Sequence, residues 1–251
     1  MKLISLLILL VSFAGLSQNS SNTLTVKYDY YDSLLNDTFE SLLRIEQDSS
    51  VYYVRQNLND SEDSSMSNGN IMLGGVDDKY IFKNTKRNSL SSFESYDGKD
   101  YFMVNEKLPI YHWTLYDDYK TIQNYKCQKA TTSFRGRVYT AWFTQDIATI
   151  HGPWKFNGLP GLIMQIADRN KYYLWSVKRI TTNSNYEIPK ITRMTKDVGL
   201  KKYHELVDLD MKKLRARVLS KLPKGTITTI PKRKRLGIET VYEWEIEDEK
   251  K

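Results

Sequence analysis

Residue types with strong potential for acid-base or metal chemistry are scarce in this chain of 251 residues, which contains three histidines and one cysteine. His204-Glu205-Leu206-Val207-Asp208 begins like the H-E-x-x-H helix of zinc proteases. Asp208, however, stands where a second imidazole would have to share the metal. We interpret His204 and Glu205 as residues of a helix surface, and we predict no metal site and no cofactor.

Nucleophilic catalysis has equally weak support. Cys127 could act with His151 only if the fold brought the two together, and chance supplies such a pair in most chains. The sequence has no G-x-S-x-G elbow, no S-x-x-K motif and no glycine-rich phosphate loop. Because a single cysteine cannot form an intramolecular disulfide, we interpret Cys127 as a small buried apolar residue. We predict that the protein is not an enzyme and keep an unrecognised enzyme as the minor alternative.

The most informative stretch runs from His151 to Asp168 and reads HGPWKFNGLPGLIMQIAD. Its glycines and prolines restrict the backbone to a tight loop that leads directly into an apolar strand. Two interpretations stay open: a structural corner that covers one end of a sheet, and a rigid mouth for a hydrophobic ligand or partner. The corner would comprise Gly152, Pro153, Gly158, Leu159, Pro160, Gly161, Leu162 and Ile163, and the mouth Trp154, Phe156, Leu159 and Pro160.

The hexapeptide Gly158-Leu159-Pro160-Gly161-Leu162-Ile163 resembles the signature of the GLPGLI family. The flanking Gly152-Pro153-Trp154-Lys155-Phe156, the upstream Tyr125-Lys126-Cys127-Gln128-Lys129-Ala130 and Trp142-Phe143-Thr144, and Asp168 extend the resemblance over about residues 120 to 180. The resemblance implies an exported protein of a diderm bacterium. It implies no catalytic residue, because the family has no established activity.

The N-terminus has the features of a secretory signal peptide. Lys2 precedes an apolar run from Leu3 to Ala14, and small residues follow. The run is shorter than a membrane-spanning helix requires, and no cysteine follows it that could carry a lipid. We expect cleavage near Gln18 and a periplasmic or outer-membrane-associated protein that is not lipidated.

The elements that must position the loop are mostly strands. Leu24, Val26, Tyr28 and Tyr30 alternate with polar residues, which predicts a strand with one buried face. Similar short runs bounded by Asn, Asp, Gly or Ser predict further strands at Phe39 to Ile45, Val51 to Val54, Tyr80 to Phe82, Tyr101 to Val104, Ile110 to Leu115, Cys127 to Phe134, Val138 to Phe143, Leu162 to Ile166 and Tyr172 to Val177.

A different periodicity follows the strands. From Asp197 to Leu222, apolar residues recur at steps of three and four, which predicts an amphipathic helix capped by Asp197. Alternation from Ile238 to Ile246 predicts a final strand. The fold class is therefore mainly β, a curved or nearly closed antiparallel sheet with one principal C-terminal amphipathic helix packed on it.

Composition and charge exclude several classes of protein. The hydrophobic fraction of 40% and charged fraction of 27% are typical of a globular chain rather than a multi-span membrane or collagen-like protein. The formal net charge is +7, and 17 Lys and Arg against 5 Asp and Glu lie between Lys178 and Arg235. The run Lys232-Arg233-Lys234-Arg235 suggests an anionic membrane surface as a partner. Export argues against nucleic acid.

We therefore predict a signal peptide at 1–18 and one domain at 19–251, with a mobile loop at 57–70 and a basic loop at 223–236. The predicted function is that of a non-enzymatic envelope protein, whose curved sheet binds a hydrophobic ligand or an envelope protein partner. The alternative is a structural or interaction subunit of an outer-membrane receptor or secretion assembly.

Overall fold

The computed structural model describes residues 23–55, 78–95, 98–184, 186–221, 223, 235 and 237–248. The predicted signal peptide, the predicted loop at 57–70 and most of the basic loop at 223–236 lie outside these residues. The described strands are β1 (Thr23–Asp32), β2 (Asp37–Glu46), β3 (Ser49–Val54), β4 (Lys79–Asn84), β5 (Ser89–Ser95), β6 (Tyr101–Lys107), β7 (Thr114–Ile122), β8 (Tyr125–Phe134), β9 (Arg137–Thr144), β10 (Leu162–Asp168), β11 (Tyr173–Thr182) and β12 (Lys196–Gly199), and the helices are α1 (Leu200–Leu219) and α2 (Glu243–Asp248).

All twelve strands belong to one open sheet in the order β12-β6-β5-β4-β3-β2-β1-β11-β10-β9-β8-β7. Neighbouring strands pair antiparallel, except that β12 runs parallel to β6. The fold class predicted from the sequence, a mainly antiparallel sheet with one principal late helix, is confirmed. No helix among the described residues has the length and apolar character that crossing a membrane would require.

The sheet curves around its inner face, which we define by Tyr28, Tyr52 and Trp175. Trp175 on β11 and Tyr52 on β3 are separated by two strands, a spacing of about 14 Å in a flat sheet. The Trp175 Nε1 nevertheless donates a hydrogen bond of 2.8 Å to the Tyr52 hydroxyl. The two side chains therefore meet over the inner face, above β1 and β2.

Buried residues alternate along the central strands, as a sheet with one face on the core requires. On β1, Val26, Tyr28 and Tyr30 are buried, and on β11 Tyr173, Trp175 and Val177 are buried. The outer face has its own smaller cluster of Leu42, Tyr53, Tyr80, Phe93 and Tyr101, on which Ile188 and Ile191 pack.

Three elements predicted from the sequence are wrong in extent or type, and β5 and β12 were not predicted. The strand predicted at Ile110 to Leu115 begins only at Thr114 and continues to Ile122. Residues 196–199 pair with β6, so the helix begins at Leu200 with Gly199 rather than Asp197 in the cap position. The strand predicted at Ile238 to Ile246 is not formed, because its first half lies outside the ladder and its second half folds into α2.

Candidate functional site

The motif loop (residues 145–161) connects β9 to β10 and is closed by its own backbone. The Gly152 amide donates to the Phe156 carbonyl at 3.0 Å, and the Gly158 amide donates to the Ile150 carbonyl at 2.8 Å. Trp154, at the tip of the inner turn, has a φ of 48° in the left-handed region. A loop whose amides are satisfied internally can hold its side chains in fixed positions without help from water.

Two glycines of the loop are required for different reasons. Gly158 has a φ of 88°, a conformation that residues with a β-carbon rarely adopt. A β-carbon at Gly161 would overlap the Thr144 carbonyl oxygen and lie 2.7 Å from the Thr144 carbonyl carbon. Gly158 therefore sets the course of the turn, whereas Gly161 permits the loop to approach the end of β9.

The rings that the loop carries face inward. Trp154 is 7% exposed and Phe156 is fully buried. Trp154 stacks on Trp175 with ring centroids 6.2 Å apart, and Phe156 meets Trp175 edge to face at 5.5 Å. Tyr30 stacks on Trp175 at 4.9 Å. These four rings form the aromatic floor, a continuous layer on the inner face of the sheet.

The predicted site residues divide between core and surface. Leu159, Leu162 and Ile163 are buried, as are Gly152 and Pro153, whereas Gly158 and Pro160 are exposed. Trp154 lines a cavity, but Phe156, Leu159 and Pro160 do not line it. The structure thus brings Trp154 to a surface that a ligand could reach and places Phe156 and Leu159 in the packing beneath.

The cavity has a volume of about 350 Å³ and lies above the aromatic floor. We call it the aromatic cavity. Tyr52, Tyr173 and Trp175 from the sheet line its base, and α1 and the C-terminal segment (residues 237–248) line its opposite wall. Its volume falls within the range of pockets that hold small molecules.

Two titratable groups on the wall of the cavity are shifted toward their uncharged forms. Burial raises the pKa of Glu94 above its usual range. Burial, with the positive charge of Arg235, lowers the pKa of His204 to about 4. The His204 ring lies 4.3 Å from the Tyr242 ring, centroid to centroid. Such groups in a concave site are candidates for contacts to a ligand.

This placement of His204 corrects the interpretation from the sequence. Glu205 is exposed and pairs with Lys202, as a helix-surface residue would. His204, by contrast, lies against Tyr242 and Trp244 and lines the cavity. The sequence signal that could have found it is its position in the helical stripe between Leu200 and Val207, on the packed face of the helix.

A buried ion cluster attaches the C-terminal segment to the sheet. Lys155 Nζ lies 2.7 Å from Glu106 Oε1 and 2.8 Å from Glu239 Oε2, and Arg135 pairs with the same two carboxylates. Burial alone would raise the pKa of Glu239, but Lys155 and Arg135 lower it overall. The cluster therefore fixes one wall of the aromatic cavity through charge-assisted hydrogen bonds.

The nucleophile pair considered from the sequence has a different arrangement. Cys127 is fully buried, its thiol donates to the Tyr125 carbonyl, and burial raises its pKa. His151 Nδ1 instead lies 3.0 Å from Ser50 Oγ, with both side chains 3% exposed. Burial, with the nearby positive charge of Lys83, lowers the pKa of His151 to about 4.

Lys83 supports the motif loop from below. Its ammonium donates to the Gly152 carbonyl at 2.5 Å and to the Phe156 carbonyl at 3.0 Å. Burial lowers the pKa of Lys83 to about 7. We interpret Lys83, Ser50 and His151 as the polar support of the loop rather than as a reaction centre, because all three are enclosed by the fold.

Of the basic run Lys232 to Arg235, which was predicted to bind an anionic membrane surface, the structure describes Arg235. Lys232, Arg233 and Lys234 lie outside the described residues. Arg235 forms ion pairs with Glu245 and Asp208 and lines the aromatic cavity. No group of three or more His, Cys, Asp and Glu that could hold a metal occurs in the part of the chain that the structure describes.

These features define a class: an open, curved antiparallel sheet whose inner face carries an aromatic cavity beside a rigid loop. Comparison with other proteins adds a family model described as a protein of unknown function (Porph_ging), which matches residues 134–165. This segment spans β9, the motif loop and the first residues of β10. No curated protein matches the sequence.

Solved structures of PNGF-II are similar in fold. The structure in the C2 space group has a TM-score of 0.52 at 13% identity, covering 74% of this chain and 32% of that chain. The structure in the P21 space group has a TM-score of 0.53 at 13% identity, covering 74% and 33%. This chain thus spans about a third of the length of the PNGF-II chains, and at this identity the likeness concerns the fold alone.

Proposed function

We propose that this chain is an exported, non-enzymatic envelope protein that binds a small ligand in the aromatic cavity. The observation that carries the proposal is the cavity of about 350 Å³ that has Trp154 and Trp175 at its base. Aromatic faces at the base of a concave site favour ligands that bring a flat apolar surface, because such surfaces stack and leave water together.

The wall of the cavity supports a ligand that also carries uncharged polar groups. Glu94 and His204 are both shifted toward their neutral forms. The neutral imidazole of His204 donates one hydrogen bond and accepts another with its two nitrogens, and the carboxyl oxygens of Glu94 accept hydrogen bonds. Hydroxyl or amide groups on a ring-bearing ligand match these partners better than a charged group does.

Export and family membership are parts of the same proposal. The hexapeptide at 158–163 lies within the segment that the family model matches, which supports assignment to the GLPGLI family. The apolar run from Leu3 to Ala14 supports export with cleavage near Gln18. N-terminal sequencing of the protein from its native host tests this part, and an intact Met1 would refute it.

A second candidate function, that of an interaction subunit, is favoured by the outer strand β7. Among the described strands, β7 pairs with β8 alone, and its Leu115, Tyr116 and Tyr119 side chains are exposed. An unpaired strand edge with exposed aromatic residues can accept a partner strand. The two candidates differ in what remains with the purified protein, a small molecule or another polypeptide.

Native mass spectrometry of protein purified from its own periplasm tests the ligand proposal. Val207 of α1 lines the cavity, whereas Leu209 on the same helix is 50% exposed and does not line it. We expect the wild type and Leu209→Trp to retain a small-molecule adduct, and Val207→Trp to lose it because the indole fills the cavity. An adduct that Val207→Trp retains, or a wild type without one, would contradict the proposal.

A further inference from the structure

The C-terminal part of α1 extends beyond the sheet. Leu200 and Tyr203, in its first turn, are buried against Phe102 and Val104 of β6. After Tyr203 no residue of the helix is buried, and the residues that pack on β6, Tyr242 and Trp244 lie between Leu200 and Val207. We call residues 210–221 the distal segment. Eight of its twelve residues are exposed, and the other four, among them Met211 and Leu214, are half-buried.

Charge is distributed unevenly along this helix. Residues 200–209 contain two lysines and two acids, whereas the distal segment contains five Lys and Arg and the single acid Asp210. Among the described residues, none of these five cations forms an ion pair. The charges in the first half of the helix therefore balance, whereas those of the distal segment are mostly positive. The five cations are Lys212, Lys213, Arg215, Arg217 and Lys221.

The apolar stripe of the helix continues where the packing ends. Tyr203 and Val207 are followed at steps of three and four by Met211, Leu214 and Val218. Val218 is 52% exposed. Because 3.6 residues make one turn, these residues share one face, and Arg215 and Arg217 lie on its two sides. The distal segment thus carries an apolar stripe that is half-buried at Met211 and Leu214 and exposed at Val218, with cations along both edges.

We propose that the distal segment binds the surface of a bilayer that contains anionic phospholipids. Such a surface satisfies both features: the stripe enters the boundary between headgroups and acyl chains, and the flanking cations contact phosphates. A nucleic acid would match the cations but offers no apolar phase for Met211, Leu214 and Val218. The site is separate from the aromatic cavity, so it does not depend on the ligand proposal.

Flotation of the full mature chain with vesicles tests this proposal. Vesicles of equal parts phosphatidylglycerol and phosphatidylcholine are compared with vesicles of phosphatidylcholine alone, at low and high salt. We expect binding to the anionic vesicles that weakens with salt, because screening reduces attraction at the surface. Binding to neither vesicle, or equal binding to both, would overturn the proposal.

Matched variants locate the surface. Lys212→Glu with Arg215→Glu should weaken binding by at least about tenfold, since each cation near an anionic bilayer contributes roughly fivefold. Lys201→Glu with Lys202→Glu reverses the same charge at the beginning of the same helix and should cost much less. Equal losses from the two pairs would show that net charge alone directs binding and would overturn the assignment to the distal segment.

A second pair separates a bilayer from other polyanions. Leu214→Ser with Val218→Ser should reduce vesicle binding, whereas Leu209→Ser, on the polar side of the helix, should not. A duplex DNA oligonucleotide should bind more weakly than the vesicles and should not respond to the Leu214 and Val218 changes. Unchanged vesicle binding by the serine pair, or DNA binding as tight as vesicle binding, would refute the bilayer assignment. Circular dichroism melts confirm that each variant is folded.

Discussion

Replacing Gly161 with alanine tests whether the motif loop is a rigid part of the fold. The new β-carbon would overlap the Thr144 carbonyl oxygen and lie 2.7 Å from its carbonyl carbon, where ordinary contacts begin at 3.4 Å. Both obstructing atoms belong to the backbone at the end of β9 and cannot rotate away. The loop and the strand must therefore move apart.

The expected cost follows from the contacts that this movement disturbs. Overpacking in a dense site costs about 1–3 kcal/mol. The hydrogen bond from the Leu162 amide to the Ile147 carbonyl, 3.1 Å long and adjacent to Gly161, contributes about 1 kcal/mol more if it is lost. Alanine also restricts the unfolded chain more than glycine does, and this stabilises the folded state by about 0.4–1 kcal/mol. We expect Gly161→Ala to lower the free energy of unfolding by about 2 kcal/mol.

Two other glycines serve as controls. A β-carbon at Gly158 would make only an ordinary contact, 3.9 Å from Trp113 Nε1, but φ is 88°, so alanine there should cost about 1 kcal/mol from backbone strain alone. Gly199 has an extended φ of −74° and no atom within 4 Å, so alanine there should change stability by less than about 0.5 kcal/mol.

Urea unfolding followed by tryptophan fluorescence measures all three variants, and thermal melts provide a second observable. For a chain of this size, about 2 kcal/mol corresponds to a Tm lower by roughly 4–8 °C. We expect the largest loss of stability for Gly161→Ala, a smaller loss for Gly158→Ala and the smallest for Gly199→Ala. A Gly161→Ala variant as stable as the wild type would refute the argument that the loop is tightly packed against β9.

Three further predictions concern the rings and charges around the loop. Trp154→Ala should lower the free energy of unfolding by about 3–5 kcal/mol, measured by urea unfolding, because this stacked ring is 7% exposed; a loss below about 1 kcal/mol would show that the ring serves binding rather than packing. Arg135→Met should lower the free energy of unfolding by about 3–5 kcal/mol in the same assay, because it removes a positive charge that pairs with buried carboxylates. Arg44→Met, at an exposed ion pair, should lower it by less than about 1 kcal/mol. Similar losses from the two variants would contradict this reasoning. His151, with a pKa of about 4 when folded and near 6.5 when unfolded, should make stability fall as the pH decreases from about 6.5 to about 4, by roughly 3 kcal/mol, because the unfolded chain binds the proton first. His151→Gln should reduce this acid sensitivity in melts across that range, and His112→Gln at an exposed site should not.

Much of the sheet follows from local periodicity. On strands such as β1 and β11, one face is buried and the other meets water, so apolar residues alternate along the sequence and reveal the strand. The same principle explains two of the three strands that were missed; the third, β5, has the polar residue Ser92 at one of its buried positions. Nearly all side chains of β7 are exposed, and β12 has only four residues, so neither has a burial pattern to detect.

The C-terminal segment shows where periodicity misleads. Residues from Ile238 to Ile246 alternate as a strand would, but the amides of Thr240 and Val241 donate to the Arg135 carbonyl rather than to a neighbouring strand. The ion cluster holds this segment against the sheet through Glu239. Long-range charge pairing, which a local pattern cannot encode, directs the chain away from the ladder.

The candidate site divides in the same way. From its sequence alone, the motif loop could be identified as a tight, ring-bearing connection, because glycine and proline restrict the backbone wherever they occur. Whether its rings faced solvent or core could not be determined, since Trp154 and Phe156 take their positions from Trp175 on β11. Glu94 and His204 meet at the cavity only because the sheet curves and α1 packs on β6. The sequence therefore determined most of the strands, the principal helix and the rigid loop through local periodicity and backbone restriction, whereas curvature, burial and long-range ion pairing in the tertiary structure decided which side chains share a cavity.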